Sequence, residues 1–99
     1  MVETIFADTL DLYIEDKHYQ LIDVRTAAEY EVGHIKNAVS VPYESVKDYM
    51  ERLQMEKIYI VYCERGVLSF DVARDLSEKG FMAVSVLGGI KAYHGKCLE

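Results

Sequence analysis

Cysteine is scarce in this chain: only Cys63 and Cys97 occur among 99 residues. Two are too few for a small secreted fold held together by disulfides. No apolar run approaches the roughly 20 residues of a membrane-spanning helix, so no membrane partner is expected. The opening Met1-Val2-Glu3-Thr4 has neither a basic patch nor an apolar core. No signal peptide is therefore expected, and a cytoplasmic protein with reduced thiols is the default. Positive charge is also short, with 11 Lys and Arg against 17 Asp and Glu and a net charge of −6. A general nucleic-acid surface needs clustered Lys and Arg, so no nucleic-acid partner is expected. Low-complexity tracts, internal repeats and linkers are absent. Cys63, His34, His94 and Cys97 lack the spacing of metal ligands; neither a metal nor a cofactor is expected.

What is present is an alternation of helical and strand-like signals. About half of the residues are apolar (51%), enough for one modest core, so 1–99 reads as a single domain. Its last two residues, Leu98-Glu99, are open between native sequence and a cloning scar and are given no function. Phe6, Leu10, Tyr13 and Ile14 recur at helical spacing and predict a helix over about 7–15. Residues 19 to 24 form a short apolar run that reads as a buried strand. Thr26-Ala27-Ala28-Glu29 has the spacing of a capping box, with Gly33 as a stop. Residues 38 to 41 read as a short strand closed by Pro42, and Val46, Tyr49, Met50 and Leu53 predict a helix over about 43–54. Residues 58 to 62 are apolar on both faces, as in a central strand covered on both sides. Leu68, Val72 and Leu76 mark one face of the next helix, which stops at Gly80. Residues 82 to 87 give a further strand, and Gly88-Gly89 turns the chain into a short helix with Ile90 and Tyr93. The alternation implies an α/β fold with a mainly parallel sheet and helices on both faces.

The most telling stretch is Tyr59-Ile60-Val61-Tyr62-Cys63-Glu64-Arg65-Gly66-Val67-Leu68-Ser69. It places a thiol at the carboxyl end of a strand, where α/β proteins bind ligands. A glycine loop and a helix N-terminus follow, so backbone N–H groups ring the sulfur and favour thiolate over thiol. The pattern points to nucleophilic sulfur chemistry on an anionic or persulfidic substrate.

These residues resemble the rhodanese family in its small, single-domain form. Leu21-Ile22-Asp23-Val24-Arg25 with Glu29-Tyr30 is similar to its first motif, and Gly33-His34-Ile35, Asn37-Ala38 and Val41-Pro42 to its second. Tyr62-Cys63-x-x-Gly66-x-x-Ser69 is similar to the active-site loop, and Leu87-x-Gly89 with Gly88 and Tyr93 to the closing motif. The four motifs run in order over nearly the whole chain. The resemblance implies a five-stranded, mainly parallel sheet flanked by helices. It also implies a sulfurtransferase whose loop cysteine, here Cys63, takes the outer sulfur of a donor such as thiosulfate as a persulfide. That sulfur would pass to a thiol, a thiol protein, cyanide or another acceptor. Residues 63–68 would form the loop. The related phosphatases have a longer loop ending C-x5-R, whereas position 69 is Ser and Tyr62 precedes the cysteine, so phosphoryl transfer is disfavoured. Two residues depart from the pattern. Many small members carry Arg where this chain has Leu68, and Glu64 adds a negative charge beside the nucleophile.

The residues divide by expected role. Cys63 is the expected nucleophile, and the loop from Glu64 through Arg65, Gly66, Val67 and Leu68 to Ser69 is the expected substrate cradle. Gly66 is expected to allow positive φ and a close approach of N–H groups to the sulfur. Arg65 is open between an anion ligand and a solvated loop charge, and Ser69 between a donor to sulfur and a cap for the following helix. Asp23, Arg25 and Glu29 read as a capping and ion-pair cluster supporting the loop, and His34 as a structural hydrogen-bonder. Cys97 reads as a bare tail cysteine. The expected partners are a small sulfur donor and a thiol or thiol-protein acceptor. A non-catalytic module that keeps the fold and docks another protein is the alternative, supported by Leu68 and Glu64.

Overall fold

The run Ile58–Tyr62 forms strand β4 near the middle of the sheet, as its two-faced apolarity demands. The structure, a computed structural model, describes residues 3–95 and 98–99; Cys97 lies outside the described residues. Five strands make one sheet: β1 (Glu3–Phe6), β2 (Tyr19–Asp23), β3 (Val39–Ser40), β4 and β5 (Met82–Leu87). Their spatial order is β1-β5-β4-β2-β3, and every pairing is parallel. Parallel neighbours need crossovers, and these carry the helices α1 (Ala27–Val32), α2 (Val46–Met50) and α3 (Val67–Glu78).

Alternation along the strands splits the core in two. Ile60, Tyr62, Leu21 and Val86 pack on one face with Leu10 and Ile14. Tyr59, Val61, Cys63, Ile22 and Val24 pack on the other with Val46, Val72 and Leu76 of α2 and α3. The cysteine side chain thus belongs to the α2–α3 face.

Several elements depart from the sequence expectation: among them, the strand expected over 38–41 spans Val39–Ser40, and the closing helix is a 3-10 turn, Ile90–Ala92, that stops short of an extended Tyr93. β1 was not read from its residues: it is a four-residue edge strand, mostly exposed, with no clear alternation. The helix expected over 7–15 is a six-residue 3-10 helix, Ala7–Leu12. Its buried Ala7 and Leu10 sit at i, i+3, a spacing that 3-10 and α windings share. The helix expected over 43–54 is shorter, a 3-10 turn Tyr43–Ser45 running into α2, which ends at Met50. The capping box forms as read: the Glu29 N–H donates to Thr26 Oγ1, and the Thr26 N–H donates to the Glu29 carboxylate. No helix among the described residues is long and apolar enough to cross a membrane.

Candidate active site

Cys63 follows β4 directly and is 4% exposed, at the base of a cleft of about 320 Å³. The cleft is lined by Val24, Tyr43, Val67 and Leu68 together with Arg25, Glu29, Glu44, Glu64 and Arg65. Gly66, at φ 100, turns the chain into α3. A side chain there would press on the Gly88 nitrogen at 3.1 Å and the Val86 carbonyl at 3.2 Å. The tight turn aims amides at the sulfur. The Gly66 N–H donates to Cys63 Sγ at 3.0 Å and the Ser69 N–H at 3.4 Å. Of the cradle expected from Glu64 to Ser69, the amides of Gly66 and Ser69 therefore reach Sγ.

Burial pushes the Cys63 thiol up, but the Ser69 hydroxyl and the amides of Ser69, Gly66 and Arg65 outweigh it, so its pKa is lowered. Ser69 is not a cap: the N-cap of α3 is Gly66, and Ser69 lies inside the first turn, fully buried. Its hydroxyl sits 3.5 Å from Cys63 Sγ and 2.8 Å from the Ser85 hydroxyl on β5.

The loop is fastened from behind. Ile90 N–H donates to the Cys63 carbonyl at 2.9 Å, and Lys91 N–H to the Glu64 carbonyl at 3.1 Å. Within a trans peptide the C=O and N–H point opposite ways. Holding these two carbonyls to the rear turns the N–H groups of Glu64 and Arg65 towards the sulfur side. Gly89, at φ 64 and ψ −162, lets residues 90 and 91 come this close.

The charges beside the loop form a chain. Asp23, fully buried, accepts from Arg25 Nη2 at 2.8 Å, from Arg25 Nε at 3.1 Å and from the Arg25 N–H at 2.9 Å. Burial works against the Arg25 charge, but Asp23 more than offsets it and the guanidinium is held more firmly charged. Arg25 Nη2 also donates to the Gly33 carbonyl at 2.6 Å, tying β2 to the end of α1. Arg25 Nη1 and Lys91 Nζ each lie 3.7 Å from the Glu64 carboxylate. Glu64 is thus drawn towards two cations. Arg65 is exposed at the cleft edge, and Leu68 and Val67 present apolar surface (41% and 74% exposed).

Tyr62 carries the framework on the opposite face. Its hydroxyl accepts from the Ile35 N–H at 3.1 Å, and burial pushes its pKa strongly up. His34 stacks on Tyr30 at 3.7 Å and donates from Nδ1 to the Tyr30 carbonyl at 2.9 Å. Glu29 serves the capping box and lines the cleft. No cluster of three metal-ligating side chains occurs among the described residues.

Sequence reasoning missed Ser85, Lys91 and Tyr43. Ser85 left a faint signal, a hydroxyl interrupting the otherwise apolar Met82–Leu87. Lys91 and Tyr43 left none, since their positions at the site depend on how distant loops return to the sheet.

A parallel α/β sheet with a cysteine at the carboxyl end of a central strand places the thiol where α/β proteins bind ligands. Comparison with known proteins gives the family. The chain matches the Rhodanese-like domain family over residues 6–96 and belongs to that family. It is 37% identical over 81 residues to YtwF of Bacillus subtilis, named as a sulfurtransferase, covering 82% of this chain and 79% of that one. It is 36% identical over 85 residues to the thiosulfate sulfurtransferase GlpE of Coxiella burnetii, with the same two coverages. Among solved structures, a rhodanese-like domain protein of Staphylococcus aureus matches at a TM-score of 0.88 and 34% identity, over 99% of this chain and 97% of that chain. The reduced CoADR-RHD of Bacillus anthracis matches at 0.86 and 34%, over 93% of this chain, which spans 16% of that longer protein.

Proposed function

We propose that this protein is a sulfurtransferase that carries sulfane sulfur as a persulfide on Cys63. The observation that carries the proposal is the Cys63 sulfur itself, held by the amides of Gly66 and Ser69 with its pKa drawn down. Such a ring stabilises a thiolate, and it equally suits the terminal anion of a persulfide.

With thiosulfate, the Cys63 thiolate attacks the outer sulfur. The S–S bond breaks and sulfite leaves with the electron pair, giving the Cys63 persulfide. With an organic persulfide R–S–SH, the leaving group is the thiolate R–S⁻ and the proton stays on the transferred sulfur. An acceptor thiolate then attacks that sulfur and regenerates Cys63 thiolate; cyanide in its place leaves as thiocyanate. The acceptor is a small thiol or a thiol protein, and a reducing compartment such as the cytoplasm suits the free nucleophile. No step calls for a metal or an organic cofactor. The likeness to a thiosulfate sulfurtransferase supports thiosulfate as one donor. The cleft's apolar rim, with Glu29, Glu44 and Glu64 balancing its Arg25 and Arg65, also suits a persulfide of low charge.

The second reading is a non-catalytic protein-binding module, favoured by the apolar surface that Val67, Leu68 and Phe70 expose beside the cleft. One experiment separates the two. Mass spectrometry after treatment with thiosulfate or a small alkyl persulfide should show one added sulfur on wild type and none on Cys63→Ser. Wild type that gains no sulfur from either donor supports the binding module.

A further inference from the structure

Ser85 is the fully enclosed polar group on the α2–α3 face that the mechanism leaves unused. It is 1% exposed, and it sits on β5 beside Val61 of β4, two residues before the nucleophile. Its hydroxyl lies 2.8 Å from the Ser69 hydroxyl, which is fully buried and 3.5 Å from Cys63 Sγ. Three side chains from three elements thus form a line: sulfur, Ser69 on α3, Ser85 on β5. We propose that Ser85 is a positioning residue that commits the Ser69 hydroxyl proton to the Cys63 sulfur.

The number of protons on this line sets its direction. A serine hydroxyl has one proton to donate and two lone pairs with which to accept. When Cys63 is a thiol, its S–H donates to Ser69 Oγ, and Ser69 donates onward to Ser85. When Cys63 is a thiolate, the sulfur can only accept. The Ser69 proton must turn to it, and Ser69 Oγ can then accept from Ser85. The line therefore reverses direction when the sulfur loses its proton. Without a donor at 85, the Ser69 oxygen in the thiolate state is left short of a partner in a site closed to water. Buried oxygens without partners are disfavoured, and hydrogen bonds in a chain strengthen one another. The effect of Ser85 on the sulfur is thus entirely transmitted through Ser69. The same arrangement serves the persulfide if the sulfur-carrying reading of Cys63 holds. The thiolate effect does not require it.

The test is the pH dependence of Cys63 alkylation by iodoacetamide, which needs no sulfur transfer. Ser85→Ala should raise the inflection by about half a unit to one unit, the shift expected for weakening one hydrogen bond to an ion. Ser69→Ala should raise it at least as far. The double variant should match Ser69→Ala alone, because Ser85 acts through Ser69. The shape-matched pair Ser85→Thr and Ser85→Val, which differ in the hydroxyl, should separate in the same direction, with Thr near wild type. That pair decides the matter if the alanine variant is too unstable to assay. A purely structural serine would lower the melting temperature and leave the inflection in place. An unmoved inflection in Ser85→Ala, equal inflections for the Thr and Val variants, or a full further shift when Ser85→Ala is added to Ser69→Ala would each overturn the proposal. Persulfide formation on Cys63 is scored separately, so failure of the sulfurtransferase reading stays distinct from failure of this one.

Discussion

Gly89→Ala should damage both the stability of the protein and the activation of Cys63. A Cβ at that position would lie 2.5 Å from the Cys63 carbonyl oxygen, 2.5 Å from the Glu64 carbonyl oxygen and 2.6 Å from the Glu64 carbonyl carbon. All three are backbone atoms, so no side-chain rotation relieves the overlap. Its φ of 64 and ψ of −162 lie in a region that is essentially reserved for glycine and costs other residues about 1–3 kcal/mol. Relief by movement would stretch the bonds from Ile90 and Lys91 to those carbonyls, each worth about 1 kcal/mol. The sum is about 3–5 kcal/mol, a large part of the roughly 5–15 kcal/mol that keeps a domain folded. For a chain of this length that means a melting temperature lower by more than about 10 °C. Moving the Cys63 carbonyl also shifts the sulfur against its amides. Losing one such charged bond should raise the alkylation inflection by about one pH unit. Gly80→Ala is the control. It has a positive φ too, but its Cβ would meet only the flexible end of Met55 at 3.3 Å. It should lose about 1–2 kcal/mol and leave the inflection alone. Urea unfolding and pH-resolved alkylation of both variants test the reasoning. Gly89→Ala within about 1 kcal/mol of wild type, with an unmoved inflection, would refute it.

Three further outcomes are expected. Arg65→Ala should lower thiosulfate turnover a few-fold, because an exposed, salt-screened charge contributes up to about 1 kcal/mol, while Leu68→Arg should raise it; both should matter far less for a neutral persulfide donor, and kcat/KM for the two donors compares them. Asp23→Asn should lower stability by about 3 kcal/mol in urea unfolding, because Arg25 is left buried with only the more distant Glu64 to offset it; a loss under about 1 kcal/mol would count against the buried pair as the anchor of β2. The Cys63 pKa is lowered on folding from an ordinary 9.0, so across the window between the lowered value and 9.0 the unfolded chain binds the extra proton. Stability of wild type relative to Cys63→Ser should therefore rise with pH through that window and level off on either side of it, measured by urea unfolding at several pH values.

The sequence was most legible where local signals and tertiary packing agree. The two-faced apolar run of β4 announces a central strand, and Thr26 and Glu29 announce a helix start because the capping box is closed within four residues. The cysteine between a strand and a glycine loop marked the site for the same reason. Legibility failed where an outcome is decided by distant partners. β1 has one half-buried residue, Ile5, and is a strand because β5 offers it an edge. The direction of the Glu64 side chain follows from Arg25 and Lys91, which arrive from β2 and from the segment after β5. Ser69 read equally well as a cap, because its neighbour Ser85 is sixteen residues away in sequence.

The depth of the sulfur has a consequence for how the protein ages under oxidants. A disulfide requires two sulfurs about 2.05 Å apart, with their Cβ atoms about 3.8 Å apart. Cys63 lies at the base of its cleft, walled by Val67, Leu68 and Tyr43, and its carbonyl is pinned by Ile90. Two copies could join at Cys63 only by bringing both sulfurs past these walls. A small oxidant such as peroxide needs no second sulfur and converts a thiolate to the sulfenic acid. Oxidation at Cys63 is therefore expected to give the oxygenated thiol rather than a Cys63–Cys63 link, and a reducing thiol thin enough to enter the cleft is what reverses it.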